Sequence, residues 1–269
     1  MKFSVVTISF NQACYLEEAI LSVLAQRGVD IEYIIVDPGS TDGSREIIER
    51  YRDRFAHVVL ERDAGPADGL NRGFALATGD ILCYLNSDDA FLPGAFSVVA
   101  REMAKSPALD VLCGHAHVID EASRVRRVVY SDVFSLNGVA YGAAISIQPS
   151  TFFRREVFAG SGGFNIENRS NWDGELLIDM ALAGARFGLL DRFLSCYRVH
   201  RESITGTARM RDAQMVYARK MFRKIKNRDF SRPDHWLAKL YQLRKHLANP
   251  KATYQRLRHG PVFGSYEAT

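Results

Sequence analysis

The sequence predicts an α/β protein whose mixed, mostly parallel sheet is flanked by helices and followed by a basic helical extension. Apolar, β-branched runs alternate with helix-periodic segments from residue 3 to residue 105, the pattern of strand–helix–strand units. Each run ends in polar residues: Ser9 and Asn11, Asp37 with Gly39 and Ser40, Asp63, and Asn86 to Asp89. Ligands of such sheets bind beyond the carboxyl ends of the strands, so these tips are the first candidates for a site. Charge is the third observation. Residues 209–258 hold 15 Lys and Arg against 3 Asp and Glu, a local +12 that leaves −8 for the rest of a chain with net charge +4.

The elements follow in order. FSVVTI (3–8) is a strand, and YLEEAILSVLA (15–25) is a helix for which Asn11 is a plausible cap. IEYIIV (31–36) is a strand, TDGSREIIERYRDR (41–54) a helix, 57–61 a strand, 67–78 a helix and DILCYL (80–85) a strand. Pro93, with its fixed φ, suits the first turn of another helix. Beyond it, 109–119 and 125–130 read as strands, 149–159 as a strand running into a turn, 175–184 as a helix and 186–199 as two short strands. Residues 211–248 read as two basic amphipathic helices split near Ser231-Arg232-Pro233.

With 269 residues, 47% of them hydrophobic, the chain supports a sizeable core in one large domain plus an appendage. The expected division is a domain at 1–205, made of halves 1–105 and 106–205, and an extension at 206–269. The apolar run in MKFSVVTISFNQ is too short for a signal peptide, and no apolar stretch approaches the roughly 20 residues that cross a bilayer. Cys14, Cys83, Cys113 and Cys196 lack C-x-x-C spacing, which argues for free thiols and a reducing, cytoplasmic compartment.

Three stretches carry candidate chemistry. VDPGSTDGS (36–44) sets Asp37 at a strand tip, where a carboxylate can accept a nucleobase N–H and Gly39 lets a ligand approach the backbone before a helix starts near Ser40. The plainer explanation is a capped strand–turn–helix. YLNSDDAF (84–91) groups amide and carboxylate oxygens, hard ligands suited to Mg²⁺ or Mn²⁺, although Asn, Ser and Asp also favour turns. NWDGELLIDMALAG (171–184) puts Asp173 and Glu175 at a helix entrance after Trp172; a carboxylate there can serve as a general base and Trp as a stacking surface for a sugar, while helix capping by Asp173 is the simpler account. His200 follows a strand, and His115 and His117 share one strand face, where they read as pocket lining or surface, with surface the favoured expectation. No G-x-G-x-x-G follows a strand, which weakens a dehydrogenase assignment.

Taken together, VVTISFNQACYLEEAILSVLAQ, IIVDPGSTDGS, GDILCYLNSDDAF, QPSTFFRREVFAGSGGF, WDGELL and YRVH resemble the family 2 glycosyltransferases of the Rossmann-like GT-A fold, in the family's order over about residues 3–200. The resemblance implies an inverting, single-displacement transfer of a sugar from a nucleotide-sugar, most often a UDP-sugar, to a glycan or lipid-linked acceptor. It implies that Asp37 bonds the base, with Thr7, Ser9, Gly39 and Ser40 in the same nucleotide pocket. Asp68 and Asn71 fall at donor contacts. Asn86-Ser87-Asp88 occupies the D-x-D position, with Asn86 directed to the ribose, Asp88 as ligand of Mn²⁺ or Mg²⁺, and His200 near the metal or diphosphate. Asp173 matches the general base, with Glu175 as runner-up and Trp172 beside the acceptor.

Pro38 and Leu70 depart from the family pattern, where Asp and Arg are common. They motivate the alternative of a noncatalytic nucleotide-sugar-binding or partner-organising protein. A nucleotidyltransferase is disfavoured because no Gly-rich triphosphate loop opens the chain. For the basic segment 209–258, outside the resemblance, peripheral contact with an anionic membrane is slightly favoured over packing on the catalytic domain or a homodimer. Nucleic acid is not expected as a partner, since no recognition motif accompanies the charge.

Overall fold

The structure is a computed structural model that describes residues 1–203, 211–260 and 262. Its first half alternates strands β1 (Lys2–Ile8), β2 (Asp30–Val36), β3 (His57–Val59) and β4 (Ile81–Asn86) with helices α1 (Ala13–Leu24), α2 (Ser44–Arg50) and α3 (Pro66–Ala75). Then come β5 (Ala90–Phe91), α4 (Ala95–Lys105), β6 (Val111–Ile119), β7 (Val125–Val129), α5 (Leu136–Ala140), β8 (Thr151–Arg154), α6 (Arg155–Ser161), α7 (Trp172–Leu182) and β9 (Phe187–Arg198). Three basic helices end the described chain: α8 (Arg211–Lys226), α9 (Arg232–Ala248) and α10 (Pro250–His259).

Among the described residues nine strands form one mixed sheet, ordered β3-β2-β1-β4-β8-β6-β9-β5, with β7 paired to β6. The β3-β2-β1-β4 half is parallel; antiparallel β8 then joins β4 to β6, which runs parallel to β9. Strand alternation builds two cores. Phe3, Val5, Tyr33, Ile35, Cys83 and Leu85 meet α1, α2 and α4 on one face, while Val6, Ile34, Val36, Leu82 and Tyr84 meet α3, α6 and α7 on the other. Helix α3 lies close to the sheet because Gly73 presents no side chain: a Cβ there would stand 2.5 Å from Val6 Cγ1.

Several boundaries differ from the sequence expectation for identifiable reasons. Gln12, not Asn11, precedes α1; Asn11 sits at φ 52° and its side-chain oxygen accepts the Thr41 N–H. The expected 41–54 helix shrinks to α2 because Asp42 accepts from Ser44 N and Gly43 takes φ 100°, holding 41–43 as a turn. Residues 155–161 are helical rather than a turn, 187–198 form one strand rather than two, and α10 is a third basic helix behind Pro250. His115 is buried, not on the surface: its Nδ1 accepts from Ser131 N, its Nε2 faces Asp191 Oδ1 at 3.2 Å, and Tyr130 and Phe193 pack around it. Helix α8 joins α5 and α7 through Tyr217, Met221 and Ile178.

Candidate active site

Sheet register brings the expected tips to one edge. Ile8 pairs with both Val36 and Asn86, so Ser9, Asp37 and Ser87 each stand one residue past a common line. Asp37 is 0% exposed, and its own turn holds its carboxylate. Oδ1 accepts from Gly39 N, Ser40 N and Arg45 Nε, and Oδ2 accepts from Ser40 Oγ at 2.6 Å. Arg45, which no sequence motif singled out, also donates to the Asp37 and Leu60 carbonyls. Gly39 adopts φ 139°, and nothing stands within 4 Å of where its Cβ would be, so that side of the turn is open. Thr7 differs from its expected place in a pocket wall: strand alternation turns its hydroxyl to the Tyr33 hydroxyl, 3.0 Å away in the core. The Ser9 hydroxyl is buried at the tip with no hydrogen-bond partner.

The side chains expected to contact the donor from α3 brace loops instead. Both ends of the Asn71 amide bond the Phe164 backbone at 2.8 Å, and Asp68 Oδ2 accepts from Ala64 N and Arg72. Leu70 is fully buried, so its departure from the family pattern is filled by packing. Arg169 reaches across to the Ala64 carbonyl, pinning the 165–170 loop over this region.

The NSDD turn is the best-supported polar cluster. Asn86 Nδ2 donates to Gln148 Oε1, and Gln148 Nε2 donates to the Tyr84 carbonyl, which leaves the Asn86 amide oxygen as its acceptor. Asp88 Oδ2 and His200 Nε2 lie 3.0 Å apart, although 112 residues separate them. His200 Nδ1 accepts from Glu202 N, which directs the Nε2 proton at Asp88. Asp89 Oδ1 accepts from Arg198 N; its Oδ2 is buried without a partner, and burial and the neighbouring Asp88 charge push its carboxyl well above the usual range. Arg198, buried and missed by sequence reasoning, donates to the Asp88 and Asp120 carbonyls, Ser123 and Glu18 and lies over the Tyr15 ring at 4.6 Å. Among the described residues no cluster of three or more His, Cys, Asp or Glu is gathered for a metal. The Asp88 carboxylate nevertheless suits Mn²⁺ or Mg²⁺ when substrate phosphates complete the shell, and His200 Nε2 would join it only on giving up the proton it directs at Asp88.

At the entrance of α7 the two carboxylates have opposite environments. Glu175 is buried, accepts from Asn165, Asn168 and Lys224, and is held below its ordinary range: burial opposes its charge, and those bonds outweigh it. Those bonds occupy the oxygens that a base would need for an acceptor hydroxyl. Asp173 lines two clefts, and burial pushes its carboxyl up against weaker backbone N–H bonds. The first cleft, about 280 Å³, includes Tyr84, Phe134, Gln148 and Leu177. The second, about 440 Å³, runs between β7 and the α9–α10 pair and includes Arg127, Lys245 and Arg256. Ile145, Ser146 and Gln148 border both, so Gln148 connects them to the NSDD turn. Trp172 packs on the second core and lines neither cleft, unlike the expected stacking surface; its indole N–H and the Tyr84 hydroxyl are buried beside each other.

The profile of glycosyl transferase family 2 matches residues 4–161. An uncharacterized glycosyltransferase of Nostoc sp. is 32% identical over 212 residues, covering 74% of this chain and 65% of the relative. A putative teichuronic acid biosynthesis glycosyltransferase of Bacillus subtilis is 43% identical over 89 residues, or 32% of this chain and 35% of the relative. The chain thus spans 65% and 68% of the length of two curated relatives it matches. Staphylococcus aureus TarS 1-349 in complex with UDP-GlcNAc superposes with TM-score 0.67 at 18% identity, covering 92% of this chain and 73% of that one. The mannosyltransferase PcManGT from Pyrobaculum calidifontis, in complex with GDP-Man and Mn²⁺, gives 0.65 at 19%, covering 95% and 73%. At those identities the likeness is one of fold. With the profile spanning more than half of the chain and the ordered strand-tip motifs set on the fold of these enzymes, the protein belongs to glycosyl transferase family 2 and has the GT-A fold.

Proposed function

We propose that the protein is an inverting transferase that moves a sugar from a nucleotide-sugar, with a UDP-sugar as the first candidate, to a hydroxyl of a glycan or lipid-linked acceptor. The observation that carries this reading is Asp173, a cleft-lining carboxylate at a helix entrance with its pKa raised by burial. An ionised Asp173 takes the proton of the acceptor hydroxyl while that oxygen bonds the anomeric carbon. The bond from that carbon to the diphosphate breaks on the opposite face, and the nucleoside diphosphate leaves. Asp88 would hold a divalent cation, oriented by His200 or joined by its Nε2 once that nitrogen gives up its proton, and the cation when bound supplies positive charge for the leaving diphosphate. Asn86, oriented by Gln148, offers its amide oxygen to a ribose hydroxyl, and Asp37 and Arg45 shape the turn against which the base would lie. The relative named for teichuronic acid biosynthesis supports a surface polysaccharide as the product.

Calorimetry with UDP, GDP and their sugars, with and without Mn²⁺, tests the donor. Metal-dependent binding of a UDP-sugar that Asp88→Ala abolishes is the expected result, and preferential binding of a GDP nucleotide overturns the uridine assignment. Transfer assays test the base. Asp173→Asn should bind donor normally and lose about 10²–10⁴-fold in kcat; full turnover by that variant removes Asp173 from the mechanism.

A further inference from the structure

Helix α9 is built inside out. At about 100° per residue, Trp236, Leu240, Leu243 and Leu247 fall in a single stripe roughly 60° wide, and that stripe faces solvent, with exposures of 74%, 48%, 56% and 73%. The side turned to the protein is polar. Asp234 is buried and receives Tyr141 and Arg228, Gln242 donates to the Gly142 carbonyl, and Lys245 pairs with Asp132 at 3.0 Å with 8% of its side chain exposed. Tyr241 stacks on Tyr141. A surface helix ordinarily does the reverse, keeping its apolar stripe for the core. Here the polar face is satisfied within the chain, and the apolar face is left for another surface.

The flanks of the stripe indicate what that surface is. On the same helical wheel, exposed Arg232 and Lys239 lie along one edge and exposed Arg244 along the other. Lys239 Nζ stands 5.1 Å from the Trp236 ring centre. Adjacent α10 adds exposed Tyr254 and Leu257 among Lys251, Arg256 and Arg258. We propose that this face docks on an anionic lipid surface, with the Trp and Leu side chains at the headgroup–acyl boundary and Arg232, Lys239 and Arg244 among the phosphates. A second copy of the chain would set one +12 segment against another, and nucleic acid would answer the charge but leave the apolar stripe in water. The other side of the α9–α10 pair lines the cleft that reaches Asp173, so docking would turn that cleft toward the membrane that presents a lipid-linked acceptor. Docking itself requires no donor and is independent of the transfer reading.

Sedimentation of the purified chain with vesicles of phosphatidylglycerol and phosphatidylcholine, compared with phosphatidylcholine alone, is the test. The chain should pellet with the anionic vesicles, and about 0.5 M salt should weaken the binding. The triple variant Leu240→Glu, Leu243→Glu, Leu247→Glu should partition at least about tenfold less, with its Tm and its transfer to a water-soluble acceptor unchanged. A second variant, Arg232→Gln, Lys239→Gln, Arg244→Gln, should lose the preference for anionic vesicles while keeping the apolar stripe. Vesicles should shift tryptophan emission to the blue in the wild type and not in Trp236→Phe. The proposal is overturned by an absence of binding to anionic vesicles, by undiminished binding of the triple-Glu variant, or by light scattering that shows a dimer which that variant dissolves.

Discussion

Asp173 and Glu175 lie two residues apart in α7 and meet opposite electrostatic fates. Glu175 has amide and ammonium donors on both oxygens; Asp173 has a cleft. The sign of the Asp173 effect follows from linkage. Its folded pKa is raised by burial, so as pH climbs from the ordinary carboxylate value to the raised one, the unfolded chain releases a proton that the folded chain keeps. Stability falls through that window and stays lower above it, while transfer, with Asp173 as the proposed base, should rise through the raised pKa and then level. Asp173→Asn should therefore melt higher than wild type at neutral pH while losing activity, a pairing that thermal unfolding and a pH–rate profile would reveal. Glu175 runs the other way: its lowered pKa contributes stability above the ordinary Glu value, and this is lost as pH falls through the lowered value.

At the scale of elements, two contacts position the site. Arg198 carries the end of β9 to the NSDD turn, and its methionine variant would keep the stem but remove its donors to the Asp88 and Asp120 carbonyls and leave Glu18 with Ser123 alone. We expect a cost of about 2–4 kcal/mol, read from urea midpoints, together with weaker metal-dependent nucleotide binding because the Asp88 backbone loses its anchor. Gly73 sets the approach of α3 to β1. An alanine there gains roughly 1 kcal/mol of helix propensity but drives a methyl to 2.5 Å from fully buried Val6. Overpacking of about 1–3 kcal/mol should win, so Gly73→Ala should lower the unfolding midpoint; a rise would show that the helix can slide.

At the scale of the whole molecule, the expected boundary between 1–205 and 206–269 is crossed by packing. Tyr217 and Met221 of α8 cover Ile178 of α7, Phe222 meets Tyr141, and Lys224 pairs with Glu175 at 3.1 Å and Asp179 at 2.5 Å. Three buried apolar side chains at about 1.5–3 kcal/mol each tie α8 to the α/β body. We expect the full chain to melt in one transition and a chain ending at residue 205 to melt at least about 5 °C lower. Two separate transitions in calorimetry would restore the two-domain division.

By itself the sequence determined the strand–helix alternation, the polar tips and their family order, because period and turn chemistry are local properties. It placed Asp37, Asn86, Asp88, Asp173 and His200 without the contacts that give each its setting. Only the tertiary structure decided which polar side chains stay available. Asn71 and Asp68 brace loops, Thr7 turns into the core and Glu175 is locked, because a hydrogen-bonding group is claimed by whatever the fold brings within about 3 Å. The same holds for Gln148, Arg198 and Arg45, whose partners come from elements far along the chain. The basic extension is the clearest case. Its sequence announced amphipathic helices, and only packing disclosed that α9 turns its charged and polar side inward and its leucines outward.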